Sequence, residues 1–216
     1  MKFFDKEQQK IAFVLFVVGI ISAGVLGLVA QLTEAPIAQA QRDALNKNLV
    51  QVLPEHANDA YLDAFELSMD GQESVRFYPA KDKRGNIIAY AWQQIAPDGY
   101  SGTIRILMGV RTSGEVVAIR VIDHRETPGL GDGITLNQPW LDSFQATSLS
   151  NTKWAVKKDG GVFDQFTGAT ITPRSVVKAV RNGLIMFAER QDVLRKTYRE
   201  KQRNDENKKA SDGGQS

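Results

Sequence analysis

Three patterns of hydrophobic and polar positions follow one another along the chain. The first is continuous. Ile11 to Ala30 reads IAFVLFVVGIISAGVLGLVA, 20 uncharged and mostly apolar positions. A helix of that length spans roughly 30 Å, the hydrocarbon thickness of a bilayer. Gly19, Gly24 and Gly27 are tolerated in a lipid-embedded helix. A buried core helix would show polar positions on its rim, and none occur. A signal peptide has a shorter apolar core, about 7–15 residues, although Ala38-Gln39-Ala40 offers an A-x-A cleavage sequence. The expectation is a retained single span over 11–32, preceded by a short N-terminal segment, 1–10. Lys2, Lys6 and Lys10 precede the span and only Arg42 and Lys47 fall in the next twenty residues. That bias places the N-terminus in the cytoplasm and the large domain outside.

The second pattern is helical. Between Glu34 and Leu53 the apolar positions Ile37, Ala44, Leu45, Leu49, Val52 and Leu53 recur at helical spacing, with Pro36 at a first-turn position and Pro54 as the stop. This predicts a linker helix over 33–54. The third pattern has period 2. Ser74–Pro79, Asn86–Ile95, Gly102–Arg111 and Glu115–Asp123 read as strands, the last with Val117, Ile119 and Val121 on one face. Lys83-Arg84-Gly85-Asn86, Pro97-Asp98-Gly99 and Ser113-Gly114 supply short turns, so the strands pair antiparallel. A short helix at Pro139–Phe144, a strand at Lys153–Lys157 and a turn at Asp159-Gly160-Gly161 follow. A final helix runs from Pro173, capped by Thr172, to Arg199, with Val176, Val180, Leu184 and Phe187 as its buried stripe. The polar stretch 201–216 predicts a disordered tail. The class is α+β: one domain over 55–200 with a mainly antiparallel sheet and flanking helices, behind a single membrane span.

Composition narrows the chemistry mostly by what is missing. With no cysteine, the chain cannot build an iron–sulfur cluster, a thiolate zinc site, a disulfide or a thioether-linked haem. The two histidines, His56 and His124, are not at helical i,i+4 spacing, and no metal site is expected. A formal net charge of +2, without a basic run interleaved with aromatics, points away from nucleic acid. Electron transfer by such a chain requires an organic cofactor.

Two segments carry candidate chemistry. Asp164-Gln165-Phe166-Thr167-Gly168-Ala169-Thr170 lies just before the last helix. Gly168 and Ala169 let a bulky group approach the backbone. Thr167, Thr170 and Thr172 place hydroxyls where the helix directs its free N–H groups and positive dipole end, a seat for phosphate. Glu126-Thr127-Pro128-Gly129-Leu130-Gly131-Asp132-Gly133 follows the clearest strand. It lacks the third glycine of a dinucleotide fingerprint. It reads either as a plain Gly/Pro loop or as one against which a planar ring lies, Leu130 serving as an apolar lid and Glu126 and Thr127 as polar contacts.

Thr167-Gly168-Ala169-Thr170, with Asp164 upstream, resembles the flavinylation motif of the FMN-binding domain family, and Glu126–Gly131 resembles that family's second signature. Motif order, length and the single span most resemble the family of G-type subunits in Rnf (Rsx) ion-translocating electron transport complexes. The C-type subunits of the sodium-pumping NADH:quinone reductases share both motifs. The resemblance implies covalent FMN on Thr170 by a phosphoester bond, with Asp164, Thr167, Gly168, Ala169 and Thr172 around it and Glu126, Thr127, Gly129 and Leu130 against the flavin. It further implies other membrane subunits as partners, a Mg-dependent FAD:protein FMN transferase that loads the flavin, and location in the bacterial inner membrane with the domain on the periplasmic side. No turnover is expected of the chain alone. Competing readings are a non-redox membrane-tethered interaction module and a flavin-dependent sensor; the chain carries no added signalling domain.

Overall fold

The computed structural model describes residues 6–69 and 72–212. Residues 1–5, with Lys2, and residues 213–216 of the expected tail lie outside the described residues. The chain divides into two compact units, 1–46 and 47–216.

Helix α1 runs Lys6–Val52 without interruption. The anchor and the linker helix expected from the sequence are one continuous helix, with Pro36 inside it rather than at a first turn. Proline in a helix interior removes one backbone bond and costs about 3 kcal/mol. The long runs of intrahelical bonds on either side carry the helix through. In the first unit the apolar side chains of the span, among them Phe13, Phe16, Ile20, Leu26 and Leu28, are exposed. This helix is the one described segment long and apolar enough to cross a membrane.

The second unit is built on a meander of five antiparallel strands in sequence order: β1 Phe65–Met69, β2 Gln72–Lys81, β3 Ile87–Gly99, β4 Gly102–Arg111 and β5 Val116–Asp123. The long α4, Ile171–Asp212, covers one face. On that face Trp92 stacks on Phe187 at 5.6 Å, and Phe77 and Tyr90 pack around them. The opposite face carries a cross-strand row of small residues, Ala91, Gly109 and Ala118. Their size has a cause: a Cβ on Gly109 would stand 1.8 Å from the Val52 carbonyl oxygen. Leu49, Val52 and Leu53 are buried there.

Several local expectations shift. β1 is an added strand; its five residues are too short for a period-2 signal of their own. β3 continues through Pro97 and Asp98, because its pairing with β4 slips between Ala96 and Gly99 and that bulge accommodates a residue without an N–H. A slip between Gly109 and Val110 buries Val116 in the core and leaves Val117 half-exposed, against the alternation expected for β5. Lys153–Lys157 is not a strand. Val156 makes one isolated bridge to Phe163, and a single 3-10 turn, Lys157–Asp159, leads into Gly160 at φ 79°. Two short helices, α2 Gly133–Leu136 and α3 Gln138–Asp142, precede it. The tail expected from Lys201 is helical as far as Asp212, since α4 continues beyond its buried half as a polar helix.

Candidate functional site

The two motif segments meet beside the start of α4. Helical geometry begins at Ile171, one residue earlier than the expected cap, so Thr170 occupies the position that precedes the first turn. The first bond of the helix runs from the Arg174 N–H to the Thr170 carbonyl at 3.3 Å. Pro173 contributes no donor, and the first turn holds no acidic residue. The unpaired N–H groups at such a helix end attract an anion.

Thr167 and Gly168 form the centre of a tight turn in which the Ala169 N–H donates to the Phe166 carbonyl at 3.1 Å. Gly168 takes φ +79°, the left-handed value that the third position of such a turn requires. A Cβ there would also stand 3.3 Å from Leu130 Cδ2. Leu130 therefore lies against the Thr-Gly-Ala-Thr turn. Thr127, Pro128, Gly129, Thr167 and Gly168 are exposed, Leu130 is 48% exposed, and Ala169 and Thr170 are half-buried.

Asp164 is held twice. Its carbonyl accepts from Trp140 Nε1 at 2.8 Å, and its carboxylate pairs with Lys157 Nζ at 2.6 Å. Trp140 is itself set by α3, whose Asn137 side chain accepts from the Trp140 N–H at 3.1 Å. Phe166 packs against Trp140 at 5.3 Å, and its ring passes within 3.0 Å of where a Gly133 Cβ would be. Arg174 makes a two-pronged contact with Asp159 at 2.6 and 2.9 Å, which fastens the 157–163 loop to α4. The guanidinium and its hydrogen bonds hold the Asp159 carboxyl below the usual carboxylate range.

Glu126 and Thr172 behave differently from the other motif residues. Glu126 is 4% exposed and Thr172 1%. The Thr172 hydroxyl donates to Glu126 Oε2, and the Ser101 N–H donates to Glu126 Oε1 at 2.9 Å. Thr172 thus serves inside the first turn as a donor to Glu126, not as the cap expected from the sequence. Nothing in the motif pattern pointed to Ser101; the only trace was the Gly99/Gly102 pair flanking its turn. The glycines of the second motif divide their work. Gly129 adopts φ +77°, whereas Gly131 provides room: a Cβ there would meet Glu126 Cβ at 2.9 Å and Thr172 Oγ1 at 3.1 Å.

Of the aromatics available to a planar ring, Trp92 belongs to the core, Trp140 is buried and Phe166 half-buried. Tyr100, on the turn beside Ser101, is 69% exposed. Cavities of about 310 and 240 Å³ lie elsewhere, beside Arg195–Arg199 and beside Leu149–Ser150, and neither is lined by a motif residue. The motif face is open to solvent.

The chain thus joins an apolar N-terminal helix to a meander sheet whose two glycine loops meet at a helix start. Residues 99–185 match the FMN-binding domain family, and residues 1–52 match the RnfG N-terminal region. Over 193 residues the chain is 42% identical to the G subunit of the ion-translocating oxidoreductase complex of Pseudomonas aeruginosa, covering 85% of this chain and 90% of that protein. The same identity and coverage hold for the Haemophilus influenzae protein of that name. The Cereibacter sphaeroides protein is 42% identical over 174 residues, 78% of each chain. The chain belongs to the G-subunit family of ion-translocating oxidoreductase complexes. A looser likeness, with TM-score 0.43 and 20% identity over 57% of this chain and 66% of the other, links it to a crystal structure of Shewanella oneidensis NqrC.

Proposed function

We propose that this protein is a membrane-anchored electron carrier of an ion-translocating oxidoreductase complex, with FMN joined through its phosphate to the Thr170 hydroxyl. Family membership and the FMN-binding domain support the carrier role. The observation that carries the attachment site is the position of Thr170 immediately before Ile171, where α4 begins. A phosphoryl group on that oxygen would sit at the positive end of the helix dipole. Of the other hydroxyls, that of Thr172 is buried and committed to Glu126, while Thr167 stands on the turn before Gly168.

The residues fit the group. Gly168 and Gly129 leave the backbone accessible, Leu130 offers an apolar surface beside them, and Thr127 and Thr167 add polar contacts. Flavin supplies one- and two-electron chemistry when bound. On an open face, a covalent bond replaces a binding equilibrium that dilution outside the cytoplasm would defeat. A threonine hydroxyl without an adjacent base is a weak nucleophile, so loading falls to a Mg-dependent FAD:protein FMN transferase. The Thr170 Oγ1–phosphorus bond forms, the FAD pyrophosphate bond breaks, AMP leaves, and the hydroxyl proton passes to the transferase. Asp164, Gly168 and Ala169 act as recognition elements in that step.

The span of α1 anchors the protein in the inner membrane. The lysine bias puts its N-terminus in the cytoplasm and the FMN domain in the periplasm, beside the other members of the complex.

Co-expression with a flavin transferase and ultraviolet imaging of a denaturing gel tests this reading. Wild type gives a fluorescent band and Thr170→Ala a dark one. A dark wild-type band, with no FMN-sized mass addition, refutes it.

A further inference from the structure

Glu126 belongs to the second motif, yet its carboxylate faces inward. Both of its oxygens are engaged by the protein, one by the Ser101 N–H and the other by the Thr172 hydroxyl. These partners belong to different segments: Ser101 to the β3–β4 turn, Thr172 to the first turn of α4, and Glu126 itself to the loop carrying Thr127–Gly131. Space around the carboxylate is reserved by two glycines. A Cβ on Gly131 would stand 2.9 Å from Oε2, and one on Gly99 would stand 3.0 Å from Oε1. Glu126 and Thr172 are 4% and 1% exposed, and the carboxylate oxygens and the hydroxyl are already bonded within the protein.

We propose that Glu126 and Thr172 form a positioning pair that fixes the Tyr100–Ser101 turn, the 127–131 loop and the start of α4 in one arrangement, and so presents Thr170 for flavin attachment without touching the flavin. This deepens the reading of Thr170 as the attachment site and rests on it. Within the pair, Thr172 sits two residues beyond Thr170 on the helix. On the loop, Leu130 and Gly131 are bonded through their N–H groups to the Thr127 carbonyl, each at 3.1 Å. A shift of the carboxylate therefore moves Leu130 relative to Gly168 and the first turn relative to Thr170.

Thr172→Val keeps the shape and removes the donor; Thr172→Ser keeps the donor. Both are compared with wild type in the full chain in detergent, in two measurements. Before flavin attachment, hydrogen exchange is read at the Ser101, Leu130 and Gly131 amides. In Thr172→Val exchange at all three rises together by about tenfold, the factor that 1.4 kcal/mol of lost local stability supplies, and Thr172→Ser stays at the wild-type rate. During co-expression with the transferase, Thr172→Val is loaded about tenfold more slowly, by the same conversion, and the flavin absorption band of the loaded fraction is shifted. Thr172→Ser again matches wild type. Acceleration confined to the first turn of α4, equal damage by valine and serine, or unchanged loading of Thr172→Val each overturns the proposal. A wild-type chain that takes no flavin overturns the attachment reading instead, and the exchange measurement still decides whether the three segments are coupled.

Discussion

The sheet and the motif face, only a few residues apart in the chain, are stabilised by different means. Across the sheet, Phe77, Tyr90, Trp92, Ile106 and Met108 are buried together with the apolar stripe of α4 in one cluster. On the motif face, Thr127, Gly129, Leu130 and Gly168 lie toward solvent. Their arrangement depends on a few directed contacts: the turn at Gly168, the Asp164–Lys157 pair, and the Glu126 carboxylate between Ser101 and Thr172. Apolar burial is proportional to area and tolerant of small shifts, whereas a hydrogen-bonded loop is either in register or not. Stability and the proposed cofactor attachment are therefore expected to separate, with substitutions in the two regions failing in different ways.

The largest effect is expected from the sheet. Trp92→Ala removes the ring stacked on Phe187 and costs about 3–5 kcal/mol of domain stability, measured by chemical unfolding, with flavin attachment lost only because the domain unfolds. Gly109→Ala comes next. Its Cβ would collide with the Val52 carbonyl, so the end of α1 must move off the sheet, at about 1–3 kcal/mol. On the motif face the ranking reverses between the two readouts. Gly168→Ala forces a side chain into the left-handed region at a cost of about 1–2 kcal/mol, a shift of a few degrees in Tm. The same variant is loaded with flavin about tenfold more slowly, since 1.4 kcal/mol of misplacement at the attachment site is worth that factor. If Gly168→Ala, still folded after so small a loss, were loaded at the wild-type rate, the separation drawn between the two regions would fail.

The smallest effect is electrostatic. Asp159 titrates below the usual carboxylate range because Arg174 bonds to it. A carboxyl lowered by folding contributes stability above its unfolded pKa, and that contribution is lost as pH falls through the folded value. Both groups are exposed, so the change in stability is slight. Carboxyl NMR should show Asp159 moving back up toward the ordinary range in Arg174→Gln, and an unmoved titration would mean the ion pair does not hold in solution.

These two regions also differed in how well the sequence announced them. The strands β2 to β5 were legible because alternation and turn residues agree over eight to thirteen positions. β1 was not, being five residues long. The bulges at Pro97 and Val117 were also missed, since a register slip depends on the partner strand and leaves no local signature. The continuity of α1 through Pro36 and the extension of α4 to Asp212 show propensity rules overridden by long runs of helical bonds. In the site, the residue types of both motifs were legible, whereas the positive φ of Gly168 and Gly129 shows only in the folded turns. Glu126 and Thr172 were read as facing a ligand, yet they face each other. A carboxylate and a hydroxyl 46 positions apart carry no sequence signal that they will pair.

The proposed function turns on whether the Thr170 hydroxyl bears the flavin phosphate. Cleavage at Lys158 and Arg174 releases one peptide that carries Thr167, Thr170 and Thr172 together, and fragmentation by mass spectrometry can place the modification among them in protein isolated from membranes with its flavin attached. The account predicts FMN on Thr170 alone, beside the start of α4. FMN on Thr167 or Thr172, or an unmodified peptide, would contradict it.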